Sequence, residues 1–410
     1  MRHLVASRAL GGVCVLLLAC VAPDADKGGD TDAPDDTGDT GDTGDTGDTT
    51  HTGYTWRPFV PPQWLPDFTF SAAAPEASEG GVVVAPVIQT AGNGIVVLDA
   101  SGEVVWAFPT DDSGLGMPPF RARFALDRRA ILFNYNAVSA ETTSLITVVP
   151  LDGSAPSAVE ITSGHTDFVE YMPGGFATLG WDIRPYGDRK IMGDNIVERA
   201  PDGTERVVWS VFDDFEPDLD ATYGTPYVPD PTVEDWSHIN GISYSQEDDA
   251  YYVTMTFNNG VAKIDRVSGV MDWYVADPDG GDFTNPGRDI LMALPHSVQR
   301  IDGGILVFSR GNPVNPDICS EAVDISLDET TQEARRVWSY STPDCLLVPF
   351  LGGAERLPGG NTVITWTSAG QIDQVTPDGR VAWAVNTSIG TGIGLSSWWD
   401  GVQAQSSAPR

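Results

Sequence analysis

Of the five histidines in this 410-residue chain, His165, His238 and His296 each open a segment that reads as the first strand of a repeating unit, directly after a long insertion. An imidazole can serve as nucleophile, acid or base near neutral pH. Repeated at one place of a circular repeat, such groups would converge on its axis, and titratable groups gathered in a polar funnel mark a functional site. Two other uses fit the same residues. A histidine at the start of a strand can hydrogen-bond within its own repeat unit, and three imidazoles could ligate zinc with one position open. No Asp or Glu follows any of them at ligand spacing, so no metal is expected.

The elements that must position them repeat one pattern, a strand, a turn with Asp or Gly, then a strand ending in Trp. It occurs five times, at 94–99 to Trp106, 195–199 to Trp209, 260–265 to Trp273, 322–325 to Trp338 and 371–375 to Trp383. The Pro-Asp-Gly turns at 201–203 and 377–379 are hairpin signals, since Gly tolerates positive φ. Four of these hairpins follow another two-strand unit, at 165–181, 238–257, 296–309 and 351–366. Two hairpins make a four-stranded blade. With 68–110 and a degenerate unit at 119–162 that lacks the Trp, the reading is all-β, a six-bladed β-propeller of four-stranded antiparallel blades. The stretches 183–194, 213–236, 276–294 and 311–321, rich in Pro, Asp and Gly, are expected to be loops on one rim. Loops on a rigid scaffold are where a site is built or a protein partner docks. The segment 393–402, with Trp398 and Trp399, is expected to close the ring.

Ahead of the propeller, assigned to 63–405, the chain begins with Arg2 and Arg8, an apolar run at 13–18 and Leu17-Leu18-Ala19-Cys20. This is the pattern of a signal peptide over 1–19, too short to span a bilayer. Its end resembles the lipobox of bacterial lipoproteins, which would make Cys20 the lipidated first residue of the mature chain. Val21 after it favours an outer-membrane lipoprotein, facing the periplasm or the cell surface. Residues 20–62 are largely Asp, Thr and Gly, which cannot form a core and read as a disordered, extended tether. Repeated Asp with Gly also suits calcium, but the run lacks the closing Glu of such loops. Without Arg2 and Arg8 the balance is 21 basic against 58 acidic residues, a net of −37, which excludes nucleic acid as a partner. An anionic small molecule would need local positive charge. Cys319 and Cys345, the only cysteines of the globular part, read as one disulfide in an oxidising compartment.

The middle of the chain, roughly 80–390, resembles the bacterial arylsulfate sulfotransferase family. The likeness rests on Asp235-Trp236-Ser237-His238-Ile239-Asn240-Gly241-Ile242, on Val261-Ala262-Lys263-Ile264-Asp265 with Gly269 and Trp273, on Pro295-His296-Ser297-Val298 and on Leu357-Pro358-Gly359-Gly360-Asn361-Thr362. Asp-Trp-x-His-x-Asn is the most specific of these. The resemblance implies a periplasmic six-bladed propeller, without a dissociable cofactor, that moves a sulfuryl group between phenols through a sulfated histidine. By that resemblance His238 and His296 match active-site histidines, with His165 a third candidate. Arg310 becomes the sulfate clamp, and Asn240 and Trp236 become substrate-binding residues. The family nucleophile falls in the first strand of the last blade, where this chain reads Leu351-Gly352-Gly353-Ala354-Glu355 and has no histidine. Two expectations outrank a third, a relative of the outer-membrane assembly lipoprotein and other quinoprotein-like propellers, which have more blades than the six that fit here. One is an enzyme acting on small phenolic or sulfated molecules, in which His238 or His296 substitutes as nucleophile. The other is a binding propeller that kept the fold and lost the chemistry.

Overall fold

The computed structural model describes residues 61–401, apart from breaks at 90–91, 111–117, 138, 221–222, 225–229, 231, 278–280, 313–314, 316 and 389–391, together with Arg2–His3. Cys20 and the acidic tether up to residue 60 therefore lie outside the described residues, as does the signal segment beyond His3. Six antiparallel sheets follow one another along the chain as the blades of a propeller.

Each blade starts with an inner strand. In blade 2 the strands are Ala122–Phe124, Ala130–Tyr135, Thr143–Pro150 and Ser157–Thr162; in blade 3 they are Gly164–Met172, Gly175–Tyr186, Arg189–Arg199 and Glu205–Ser210. Blade 4 runs Ile239–Ser245, Ala250–Met255, Gly260–Asp265 and Met271–Ala276, and blade 5 runs Pro295–Ile301, Gly304–Ser309, Glu321–Asp328 and Glu333–Tyr340. Blade 6 contains Gly353–Arg356, Thr362–Trp366, Gln371–Val375 and Val381–Thr387.

Blade 1 is completed from the far end of the chain. Its Val82–Ile88, Asn93–Asp99 and Val104–Thr110 gain an inner edge from Gly392–Ile393 and Ser397–Trp399, which pair antiparallel with Val82–Ile88. This is the expected closure at 393–402. One expectation at the other end is corrected: Phe68–Ser71 belongs not to blade 1 but to the outer edge of blade 6, where it pairs with Val381–Thr387. Both chain ends thus cover strand edges that would otherwise stand open.

The repeated Trp has a structural meaning. In blades 1, 3, 4, 5 and 6 the third and fourth strands slip register at one place, leaving the residue just before Trp106, Trp209, Trp273, Trp338 and Trp383 unmatched. Blade 2, which lacks the Trp, pairs Thr143–Pro150 with Ser157–Thr162 without a slip. A β-bulge increases local twist and re-aims the side chain beside it, and here it carries the indole towards the neighbouring blade. Trp209, for example, is buried in a core shared with Ile242, Tyr251 and Ile264 of blade 4.

The 183–194 stretch is not a loop. Gly175–Tyr186 and Arg189–Arg199 pair without interruption from Phe176↔Arg199 to Tyr186↔Arg189, so only Gly187 and Asp188 turn. The Pro-Asp-Gly turns do form, with Gly203 at φ +92° and Gly379 at φ +82°. Cys319 and Cys345 are joined as a disulfide with Cα atoms 5.0 Å apart, tying the insertion of blade 5 to the segment that leads into blade 6. Among the described residues no helix is long and apolar enough to cross a membrane.

Candidate active site

The inner strands of blades 3, 4 and 5 all slip register near their first residues, between His165 and Phe168, Ile239 and Gly241, and Pro295 and Ser297. The three histidines sit at or beside these bulges, but they are not equivalent. His296 is itself the unmatched residue of blade 5, whereas the matching residue of blade 4 is Asn240 and His238 stands two residues earlier. In blade 3 the bulge is Thr166-Asp167, so Asp167 and not His165 takes the position of His296.

His238 adopts φ +48°, a backbone conformation that a β-strand cannot continue, and its ring turns onto Phe257 with centroids 4.5 Å apart. Its Nδ1 bonds to the buried carboxylate of Asp235. A carboxylate at Nδ1 fixes that nitrogen as the donor in the neutral ring and leaves Nε2 with its lone pair. The segment is pinned from beneath by Asp194, which accepts from Ser237 Oγ and, at 2.9 Å, from Ile239 N. Asp194 Oδ1 also lies 3.0 Å from His165 Nε2, off the line of a good hydrogen bond, while the His165 ring stacks on Trp181 at 5.3 Å. His165 is therefore buried, linked through Asp194 to the residues on either side of His238.

His296 is buried, and its Nδ1 has no hydrogen-bond partner among the described residues. Burial lowers its pKa well below the ordinary imidazole value, helped by the charge of Arg310 and by His238 and Arg121, against the opposing pull of Asp167. At neutral pH this imidazole is uncharged. Arg310 donates to Leu294 O at 3.3 Å and Pro349 O at 3.1 Å, bridging the entries of blades 5 and 6. Of the other cations in or near the family-like motifs, Lys263 pairs with Asp272 on the outer strands of blade 4 and Arg288 lies exposed in a loop.

Two further expected residues serve the scaffold. Trp236 is buried against Phe212 at 5.5 Å, and its ring packs in the core. Asn240 Nδ2 donates to Thr256 Oγ1 at 3.0 Å, and Thr256 Oγ1 in turn donates to Pro295 O at 2.7 Å, a chain that fixes blade 4 to the strand carrying His296. In blade 6 the residue matching His296 is Gly352. It has φ +104°, and a Cβ there would fall 2.1 Å from the Phe308 ring. Phe120, Leu351 and Leu395 form an apolar cluster beside it. Blade 6 thus has no histidine at this position and no space for one there.

At the position of blade 3 that matches His296 is a group that sequence reading missed. Arg121 of blade 2 grips Asp167 with two bonds, 2.8 and 2.9 Å, and donates to Ser396 O at 3.0 Å; Arg123 adds a contact to Asp167 at 3.3 Å. Burial pushes the Asp167 carboxyl up, but Arg121 and Arg123 overcome it and hold the pKa at about 2. The pair links the inner strands of the neighbouring blades 1, 2 and 3. Its only sequence signal is Arg at two alternate positions of an otherwise apolar inner strand, Arg121-Ala122-Arg123-Phe124.

Comparison with solved structures returns low-identity likenesses. A protein of unknown function from Bacteroides caccae is 15% identical, with 77% of this chain and 98% of that one covered and a TM-score of 0.44. Virginiamycin B lyase from Staphylococcus aureus is 13% identical over 81% and 99%, TM-score 0.41, and a periplasmic gluconolactonase from Pseudomonas aeruginosa 13% over 78% and 98%, TM-score 0.40. At these values no functional argument follows from them. A search of curated proteins found no match. The sequence does match the arylsulfotransferase (ASST) family over residues 165–382, from the first histidine of blade 3 to the outer strand of blade 6. That span takes in the Asp235–His238 pair, His296 and Arg310, and it is more than half of the chain: the protein belongs to the arylsulfotransferase family.

Proposed function

We propose that this protein transfers a sulfuryl group from a phenolic sulfate ester to a second phenol, with His238 as nucleophile. The observation that supports this reading is the Asp235–His238 pair, which leaves Nε2 with its lone pair, set beside a neutral His296 and the charge of Arg310. Nε2 attacks sulfur in line; the S–N bond forms as the bond from sulfur to the aryl oxygen breaks. The Arg310 charge stabilises the equatorial oxygens as negative charge builds on them. A bound sulfate ester also raises the affinity of His296 for a proton, since a nearby negative charge favours the imidazolium. His296 then protonates the departing phenolate. In the second half the acceptor phenol gives its proton to His296 and its oxygen takes the sulfuryl group, restoring His238.

In this proposal the chemistry takes place in the cell envelope, on a lipid anchor at Cys20. The test is release of 4-nitrophenol from 4-nitrophenyl sulfate with phenol as acceptor. Turnover is expected in the wild type and absent in His238→Ala, whose melting temperature stays within a few degrees because the ring is partly exposed. Turnover that survives in His238→Ala would remove it from the role of nucleophile. A second reading, a propeller that binds but does not transfer, is favoured by the closed Gly352 position. It predicts no turnover with any aryl sulfate donor.

A further inference from the structure

We propose that the channel holds a second, separate site beyond the Arg121–Asp167 pair, which binds a small organic carboxylate with an apolar body. Along the inner strand of blade 3, His165 lies on the histidine side, Asp167 at the pair, and Val169 and Glu170 beyond it. The latter two line a cavity of about 260 Å³ to which the inner strands of all six blades contribute. Its near side includes Arg121 and Ser297, the residue after His296, and its far wall at Glu170 and Gln299 lies further down the inner strands, which rise roughly 3.3 Å per residue.

The hydrogen-bonding groups around this cavity are unbalanced in one direction. Its carboxylates are occupied: Glu170 accepts from Leu126 N at 2.6 Å and Gly174 N at 2.8 Å, and Glu355 accepts from Trp398 N at 3.0 Å. Its donors are not. Arg123 Nε is buried without a partner, and the other contacts of that guanidinium are long, 3.3 Å to Asp167 and 3.5 Å to Ile242 O. Ser243 Oγ is likewise buried and unpaired, and Arg128 has no ion-pair partner among the described residues. Donors left unpaired away from water are costly, and a guanidinium edge with an adjacent hydroxyl suits the two oxygens of a carboxylate. Phe124, Val169, Val298, Val363 and Trp398 supply an apolar wall for the rest of the ligand. The volume lies just below the usual range for small-molecule sites, roughly 300 Å³ upward, and so points to a molecule of benzoate size.

Isothermal titration calorimetry on the full chain tests this without any reference to sulfuryl transfer. Benzoate is expected to bind and neutral benzyl alcohol not to. Arg123→Gln should weaken benzoate at least about tenfold, as loss of a charge-assisted bond requires, and His238→Ala should leave its affinity unchanged. If Arg123→Gln fails to fold, Arg128→Gln at the cavity wall should still weaken binding. Three results would overturn the proposal: no benzoate binding at millimolar concentration, affinity unaffected by both arginine variants, or inorganic sulfate binding in place of benzoate.

Discussion

At the scale of residues, the site depends on a buried imidazole kept neutral. Burial first, and Arg310 next, lower the pKa of His296 below the ordinary 6.5, whereas in the unfolded chain the ring takes its proton near that value. Between the two values the unfolded state binds more protons, so stability falls as pH drops through this window. Asp167, held at about 2, contributes stability that is present above its unfolded pKa and is lost only in much stronger acid. The two effects therefore separate. Melting of the wild type between pH 7.5 and 5.5 should show a decline that His296→Gln makes shallower; equal slopes would mean that His296 is not the buried neutral group described. His238 and His296 stand out in a sequence with so few histidines, but their partners do not. Asp194 is one of 58 acidic residues, and only the fold brings it beneath His238 and against His165.

At the scale of elements, the blades follow what short-range chemistry can encode. Each repeated Trp marks a bulge in the outer hairpin, and Pro-Asp-Gly marks turns that need positive φ, so five outer hairpins are legible one by one. The 183–194 stretch misleads because Pro185 and Gly187 sit at the tip of a long hairpin, where they resemble loop residues although the flanking strands stay paired. The inner-strand bulges leave no such mark. They decide that His296, Asn240, Asp167 and Gly352 share one position, and hence that equal-looking histidines are not equivalent. Putting a histidine at the blade 6 position should therefore fail. Gly352→His would drive a Cβ to within 2.1 Å of Phe308, at a site of positive φ. Chemical denaturation should show a loss of about 1–3 kcal/mol from overpacking, and aryl sulfate turnover should not rise. A stable Gly352→His variant with increased turnover would contradict the closed geometry.

At the scale of the whole molecule, the ring is shut by strands from opposite ends of the propeller, and the inner strands of blades 1, 2 and 3 are tied together by Arg121 reaching Asp167 and Ser396. Removing 392–410 would take the inner strand from blade 1, expose the edge of Val82–Ile88 and deprive Arg121 of its Ser396 contact. Such a chain is expected to lose cooperative melting and to aggregate; a well-folded monomer by sedimentation would show that closure is dispensable. The same ring brings groups from separate blades together, which is what the proposed chemistry requires. That chemistry is tested most directly by mass spectrometry of the full chain quenched during reaction with an aryl sulfate and no acceptor. The account predicts a gain of one SO₃ group mapped to His238 and absent in His238→Ala. An adduct on another residue, or an unmodified protein while 4-nitrophenol is released, would contradict it.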